Sequence, residues 1–286
     1  MKTHLDCIPC FARQALEAAR RISPDPACHE RILRDVLRWT ADMDMDRPPP
    51  VLGQRLHRRL REIVGMDDPY REVKDAQNRL ALGVFADLEA DIGSAPDPLD
   101  RAVRLAIAGN VIDLGAGGSV TEADVREAVR RALEEPLAGD LDEFRRSVGR
   151  ARSILYLADN AGEIVFDRAL IECLPARRVT VAVRGSPVIN DATRADARAA
   201  GLEGLAGIID NGSDAPGTLL AECGPEFLRR YAEADLVVAK GQGNFESLGE
   251  ERRDMFFLFK VKCPVIARHA GHPVGANVLM RTKEEP

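Results

Sequence analysis

Two short stretches place oxygen-bearing side chains where a hard cation would want them. Asp159-Asn160 follows one apolar run, and Asn190-Asp191 follows the next. Adjacent carboxylate and amide oxygens suit Mg²⁺, Mn²⁺ or a similar divalent ion, which prefers oxygen ligands. Asp159 and Asn160 supply two ligands, and Asp191 is the natural third. The residues after them, Ala161 and Gly162, open a helix whose free N–H groups can receive an anion. A plainer role remains open, because Asp and Asn are also favoured helix caps.

Lys240 ends another apolar run and opens the loop Gly241-Gln242-Gly243-Asn244. A lysine at such a tip can act as a phosphate clamp, and the glycines let the backbone come close to a ligand. The alternative is an exposed lysine beside an ordinary turn. Gly212, Ser213, Asp214, Gly217 and Thr218 add further N–H and hydroxyl donors. A cation at one tip and an ammonium at another meet the needs of phosphoryl transfer, where positioning and charge neutralisation supply most of the catalysis. Water activated by the cation is one nucleophile; direct attack by Asp159 to give an aspartyl-phosphate is the other.

These residues need a scaffold, and the second half of the chain offers one. Short apolar runs at 154–157, 179–183, 207–209, 236–238 and 264–267 alternate with amphipathic helical segments. Such alternation predicts a Rossmann-like α/β fold, a parallel sheet covered by helices, with ligands bound beyond the carboxyl ends of the strands. The first half reads differently. Ile32, Leu33, Val36 and Leu37 form an apolar stripe, as do Leu52, Leu56, Leu60 and Ile63, and Val73, Ala76, Leu80, Val84 and Leu88. Thr121 with Asp124 predicts a capping box. We therefore expect a helical domain over residues 1–150 and an α/β domain over 151–286.

The chain has 286 residues and a formal charge of −6, which speaks against a nucleic-acid surface. No apolar run approaches the roughly 20 residues that span a membrane, and no secretory signal opens the sequence. A cytoplasmic location is expected, where six cysteines are not disulfide staples. Composition leaves the oligomeric state open. Two motifs mislead. The run 111–119 (VIDLGAGGS) imitates the glycine loop of an adenosylmethionine-dependent methyltransferase but follows a helical segment rather than a strand. His269 and His272 resemble a metal pair, yet Gly271 between them favours a surface loop.

Taken together, residues 157–163 (LADNAGE), 187–193 (PVINDAT) and 238–246 (VAKGQGNFE) resemble the damage-control phosphatases, long catalogued as domain of unknown function 89. Asp68-Pro69-Tyr70 with Lys74, residues 109–113 (GNVID) and residues 262–266 (KCPVI) extend the likeness from about Cys7 to Ala267. The resemblance implies a metal-dependent phosphatase of small phosphorylated metabolites such as sugar phosphates, served by Mg, Mn, Co or Ni. Asp159, Asn160 and Asp191 would then hold the cation and Lys240 would meet the phosphate. Glu163, Asn190, Ser213 and Gly241 would line the site. Asn110 and Asp113 match a signature of open role.

Cys7 and Cys10 resemble the branch of the family with an N-terminal cysteine pair, and Cys263 lies in a motif of that branch. A second metal site, a redox pair, or two helix-buried cysteines are all compatible with this spacing. The rival functions are a non-catalytic phosphometabolite-binding protein, a methyltransferase, and a metal- or cluster-carrying protein organised by the cysteine pair.

Overall fold

The structure, a computed structural model, describes residues 1–111 and 121–282. Asp113 and the glycine-rich stretch 115–119 lie outside the described residues.

Seven strands form one sheet. In chain order they are β1 (Leu137–Gly139), β2 (Ile154–Leu157), β3 (Val179–Val183), β4 (Gly207–Asp210), β5 (Leu236–Lys240), β6 (Met255–Lys260) and β7 (Asn277–Arg281). Their spatial order is β1-β7-β6-β5-β2-β3-β4. The strands β2 to β6 run parallel; β7 is antiparallel to β6 and parallel to β1. Central strands are buried along their length, with every residue of β2 and β5 inside. That is why they read as continuous apolar runs rather than alternating ones.

Alternation still decides which face each side chain meets. Ile154, Tyr156, Leu236, Val238, Phe256 and Leu258 share one core with α4 (Arg71–Gly93), α5 (Pro98–Ala108), α6 (Glu122–Glu134), α7 (Leu141–Arg150) and α8 (Glu163–Cys173). Leu155, Leu157, Val237, Ala239 and Phe257 face the other way. They pack with α10 (Pro225–Glu233), α11 (Gly241–Leu248) and α12 (Pro264–Ala270). A third core, built on Phe11, Ile32, Val36, Leu56 and Leu60, belongs to α1 (Cys7–Ile22), α2 (Pro26–Ala41) and α3 (Pro49–Val64). The short α9 (Arg194–Ala199) follows β3.

The Thr121–Asp124 capping box is present at the start of α6. Three sequence expectations need correction. Residues 1–150 are not one helical body: α1–α3 enclose their own core, whereas α4–α7 join the sheet and β1 extends its edge. The apolar run at 264–267 is the start of α12, with Pro264 in the first helical turn. The strand of that region is β6, nine residues earlier in the chain by their first residues. His269 lies in the last turn of α12, and Gly271 takes the left-handed conformation that ends it.

Candidate active site

The loops after β2 and β3 are laced together by main-chain hydrogen bonds. Ala192 N donates to Asp159 O at 2.7 Å, and Ala161 N to Asn190 O at 2.8 Å. Asn160 and Asp191 therefore face each other as an isolated antiparallel bridge. The turn that delivers Asn190-Asp191 carries strain. Ile189 has φ 44°, a left-handed conformation that a β-branched residue rarely adopts. Such strain costs on the order of 1–3 kcal/mol and gathers at functional sites.

Asp159, Asn160, Asn190 and Asp191 line one side of a cavity of about 690 Å³, within the range of small-molecule sites. Other walls come from α1, α3, α11, α12 and the loop before α12, including His57, Gln242, Glu246 and Lys262. The Asn160 amide is turned so that Nδ2 donates to Asp159 Oδ2 (2.7 Å) and Glu163 Oε2 (2.9 Å), which leaves Oδ1 for a cation. Asn110 repeats the pattern, with Nδ2 at 3.3 Å from Asp159 Oδ2 and 2.8 Å from Glu163 Oε2. Its Oδ1 is buried without a hydrogen-bond partner, and so is Asn190 Nδ2. One unmatched acceptor and one unmatched donor thus belong to side chains of the cavity wall, a rare arrangement in a purely structural site.

The remaining expected site residues sit behind this wall. Lys240 is fully buried, and its ammonium donates to Ala106 O (2.8 Å), Glu163 Oε1 (2.7 Å) and Asp167 Oδ1 (2.6 Å). All three of its protons are used, so the geometry does not make it a direct phosphate clamp. The reason is alternation: Lys240 follows Leu236 and Val238 onto the face packed by α5 and α8. Glu163 is likewise wholly buried and braces Asn160 and Asn110. Gly241, at φ 76°, gives Asp159 room, because a Cβ there would collide with the Asp159 carboxylate. Ser213 is buried in the turn after β4, where its Oγ accepts from Ala215 N at 3.2 Å, and it does not line the cavity.

Two functional neighbours were missed. Asp167 stands one helical turn after Glu163 on α8, and a second carboxylate at i+4 in the helix that follows β2 was its sequence signal. Arg184 follows β3 directly and is 2% exposed; its position at a strand end was the only hint.

Charge is unbalanced here. Four buried carboxyl groups (Asp159, Glu163, Asp167 and Asp191) face two buried cations, Lys240 and Arg184. Burial pushes the Asp159 carboxyl well above the usual carboxylate range, and Glu163 and Asp191 push it further; Arg184 and Lys262 pull the other way. An all-oxygen donor set in which two carboxyl groups share one buried guanidinium fits a hard divalent cation. Among the described residues, no group of three or more His, Cys, Asp or Glu side chains is arranged to hold a metal; this set is two carboxylates and an amide.

Cys7, Cys10 and Cys263 line the same cavity as free thiols. Burial raises both Cys7 and Cys10, and nearby Glu246 and Cys263 add to the effect. Among the described residues, the three sulfurs are not drawn into a metal-holding group.

A mostly parallel sheet with an acidic, amide-braced cluster at its strand tips defines a small-molecule α/β protein, and the comparisons give the class a family. Residues 3–278 match the model of the damage-control phosphatase ARMT1-like domain, so the chain belongs to that family. A damage-control phosphatase of Pyrococcus horikoshii is 37% identical, covering 99% of each chain. One from Archaeoglobus fulgidus is 34% identical over 97% of this chain and 98% of its own. The crystal structure of a DUF89 family protein from Pyrococcus horikoshii superposes with a TM-score of 0.89 at 34% identity, covering 99% of this chain and 100% of that one. No helix among the described residues is long and apolar enough to cross a membrane.

Proposed function

We propose that the protein is a cytoplasmic, divalent-cation-dependent phosphatase that hydrolyses small phosphorylated metabolites, sugar phosphates among them, in metabolite damage control. The observation that carries this reading is the convergence of two carboxyl groups, Asp159 and Asp191, on a single buried guanidinium where they and Asn160 meet the cavity. The names of its relatives support the reaction class.

Asp159, Asp191 and Asn160 Oδ1 would hold the cation, and Mg, Mn, Co or Ni there supplies charge neutralisation to a phosphoryl group. Asn190 Nδ2, unpartnered at the wall, is a donor for a phosphoryl oxygen. Lys262 lines the cavity, and its field pulls both the Asp159 and Glu246 carboxyls down. Lys262 takes the charge-balancing role first expected of Lys240, because stabilisation is worth most where negative charge accumulates in the transition state.

A phosphate-release screen with each of the four cations over sugar phosphates, nucleotides and cofactor precursors tests the proposal. Asp159→Asn should abolish release while the melting temperature holds or rises, since the carboxyl is under repulsion from Glu163 and Asp191. Release from no substrate with any cation would refute the reading.

A further inference from the structure

Among the described residues, Arg184 is the one buried cation that touches both acidic residues of the cation site. Its Nε lies 2.6 Å from Asp191 Oδ2, and its Nη2 lies 3.5 Å from Asp159 Oδ1. The guanidinium does not line the cavity, so it approaches the two carboxylates from behind while they face the open space. Its third nitrogen, Nη1, is tethered at 3.3 Å to Asn244 Oδ1 and 3.4 Å to Thr218 Oγ1. Asn244 is itself fixed: its Nδ2 donates to Lys240 O at 2.7 Å, and its Oδ1 accepts from Thr218 Oγ1 at 2.8 Å. Arg184 N donates to Ala192 O at 2.9 Å, in the ladder that joins the two ligand loops.

We propose that Arg184 is the positioning residue of the cation site, a resident counter-charge that holds Asp159 and Asp191 converged and aimed into the cavity. The proposal rests on the ligand assignment made above. The two contacts are unequal, and that inequality sets the roles. The short bond pins Asp191 by Oδ2. The long contact restrains Asp159 only loosely, so that carboxylate is released to an arriving ion without breaking a strong hydrogen bond. A planar fork is needed for this: three nitrogens address four partners at once, and a lysine ammonium would reach only some of them. Without Arg184 the two carboxylates repel each other and turn apart. Groups that orient metal ligands in this way are typically worth about 10–100-fold in metal affinity.

The test is Mn²⁺ binding by calorimetry on the full chain, with Arg184→Lys, Arg184→Gln and Thr218→Val. Both Arg184 variants should bind Mn²⁺ at least tenfold more weakly, the lysine included, because charge without the fork does not orient Asp191. Thr218→Val removes one tether of the guanidinium and the hydrogen bond that steadies the other, Asn244, and should weaken binding about threefold; it decides the matter if the Arg184 variants fail to fold. Affinity within twofold of wild type in the variants that fold, tighter binding in Arg184→Gln, or full recovery in Arg184→Lys would each overturn the proposal. Asp159→Asn and Asp191→Asn serve as the control on the ligand set. If they leave Mn²⁺ affinity intact, the ligand assignment itself is wrong, whatever the Arg184 variants do.

Discussion

Replacing Lys240 by Met separates two roles that the sequence alone does not distinguish. The ammonium is enclosed by Glu163, Asp167 and the Ala106 carbonyl, with no exposure to solvent. Methionine keeps much of the volume but strands two carboxylates in the interior. Breaking a buried pair from one side costs about 3–5 kcal/mol. Unfolding entropy of about 2.1 cal/mol/K per residue gives this chain about 0.6 kcal/mol per kelvin, so the melting temperature should fall by about 5–8 °C. Burial alone would lower the Lys240 pKa, but the Asp167 and Glu163 carboxylates outweigh it and raise it above the ordinary lysine value. A raised lysine contributes its stability fully below its unfolded pKa and loses it only as pH climbs past the folded one, so the effect is complete at neutral pH. Adding Asp167→Asn should recover part of the loss, since a neutral amide tolerates the missing partner better than a carboxylate. Thermal melts followed by circular dichroism, with inorganic-phosphate inhibition measured in parallel, check this. A melting temperature within 2 °C of wild type, together with tenfold weaker phosphate inhibition, would refute the buried-brace reasoning and restore Lys240 as a clamp.

Two further predictions use pH. Burial would raise the Asp214 carboxyl, yet hydrogen bonds from Arg58, Arg61 and Gln54 hold it down at about 2, tying α3 to the loop after β4. A depressed carboxyl contributes stability above its unfolded pKa and loses it as pH falls through the folded one. Asp214→Asn should therefore cost about 1–2 kcal/mol at pH 7, after allowing for solvent screening, and almost nothing near pH 2, as read from urea titrations at both pH values. Glu246 shows the opposite sign. Burial pushes its carboxyl up to about 7 against a hydrogen bond from Gln242. Its neutral form is favoured in the fold, so wild type loses stability as pH rises from about 4.5 to 7. Glu246→Gln should be the more stable protein at pH 8 by about 1–2 kcal/mol, with the difference vanishing toward pH 4.5.

Much of the scaffold was legible because its signals are local. The runs that became β2, β3, β4 and β5 are apolar on both faces, and Thr121 caps its helix through residues three positions away. The end of the chain was harder to read. Pro264-Val265-Ile266-Ala267 has strand-like composition, yet Pro264 suits a first helical turn, and the strand Met255–Lys260 carries the aromatic residues that pack beneath it. The division at residue 150 misled because helical periodicity does not say whether a helix buries its stripe against other helices, as α1–α3 do, or against a sheet, as α5 does.

The sequence by itself determined which chemical groups stand at the strand ends. Asp159-Asn160, Asn190-Asp191, Lys240 and the glycines around them are adjacent to apolar runs, and adjacency in a chain survives folding. Only the tertiary structure decided what those groups meet. Lys240 turns to the Glu163–Asp167 side of the sheet, Arg184 spans Asp191 and Asp159, and Lys262 faces the cavity instead. Partners 73 and 77 positions apart are matched by strand direction and helix face, quantities set by packing the whole sheet and not by any short stretch of residues.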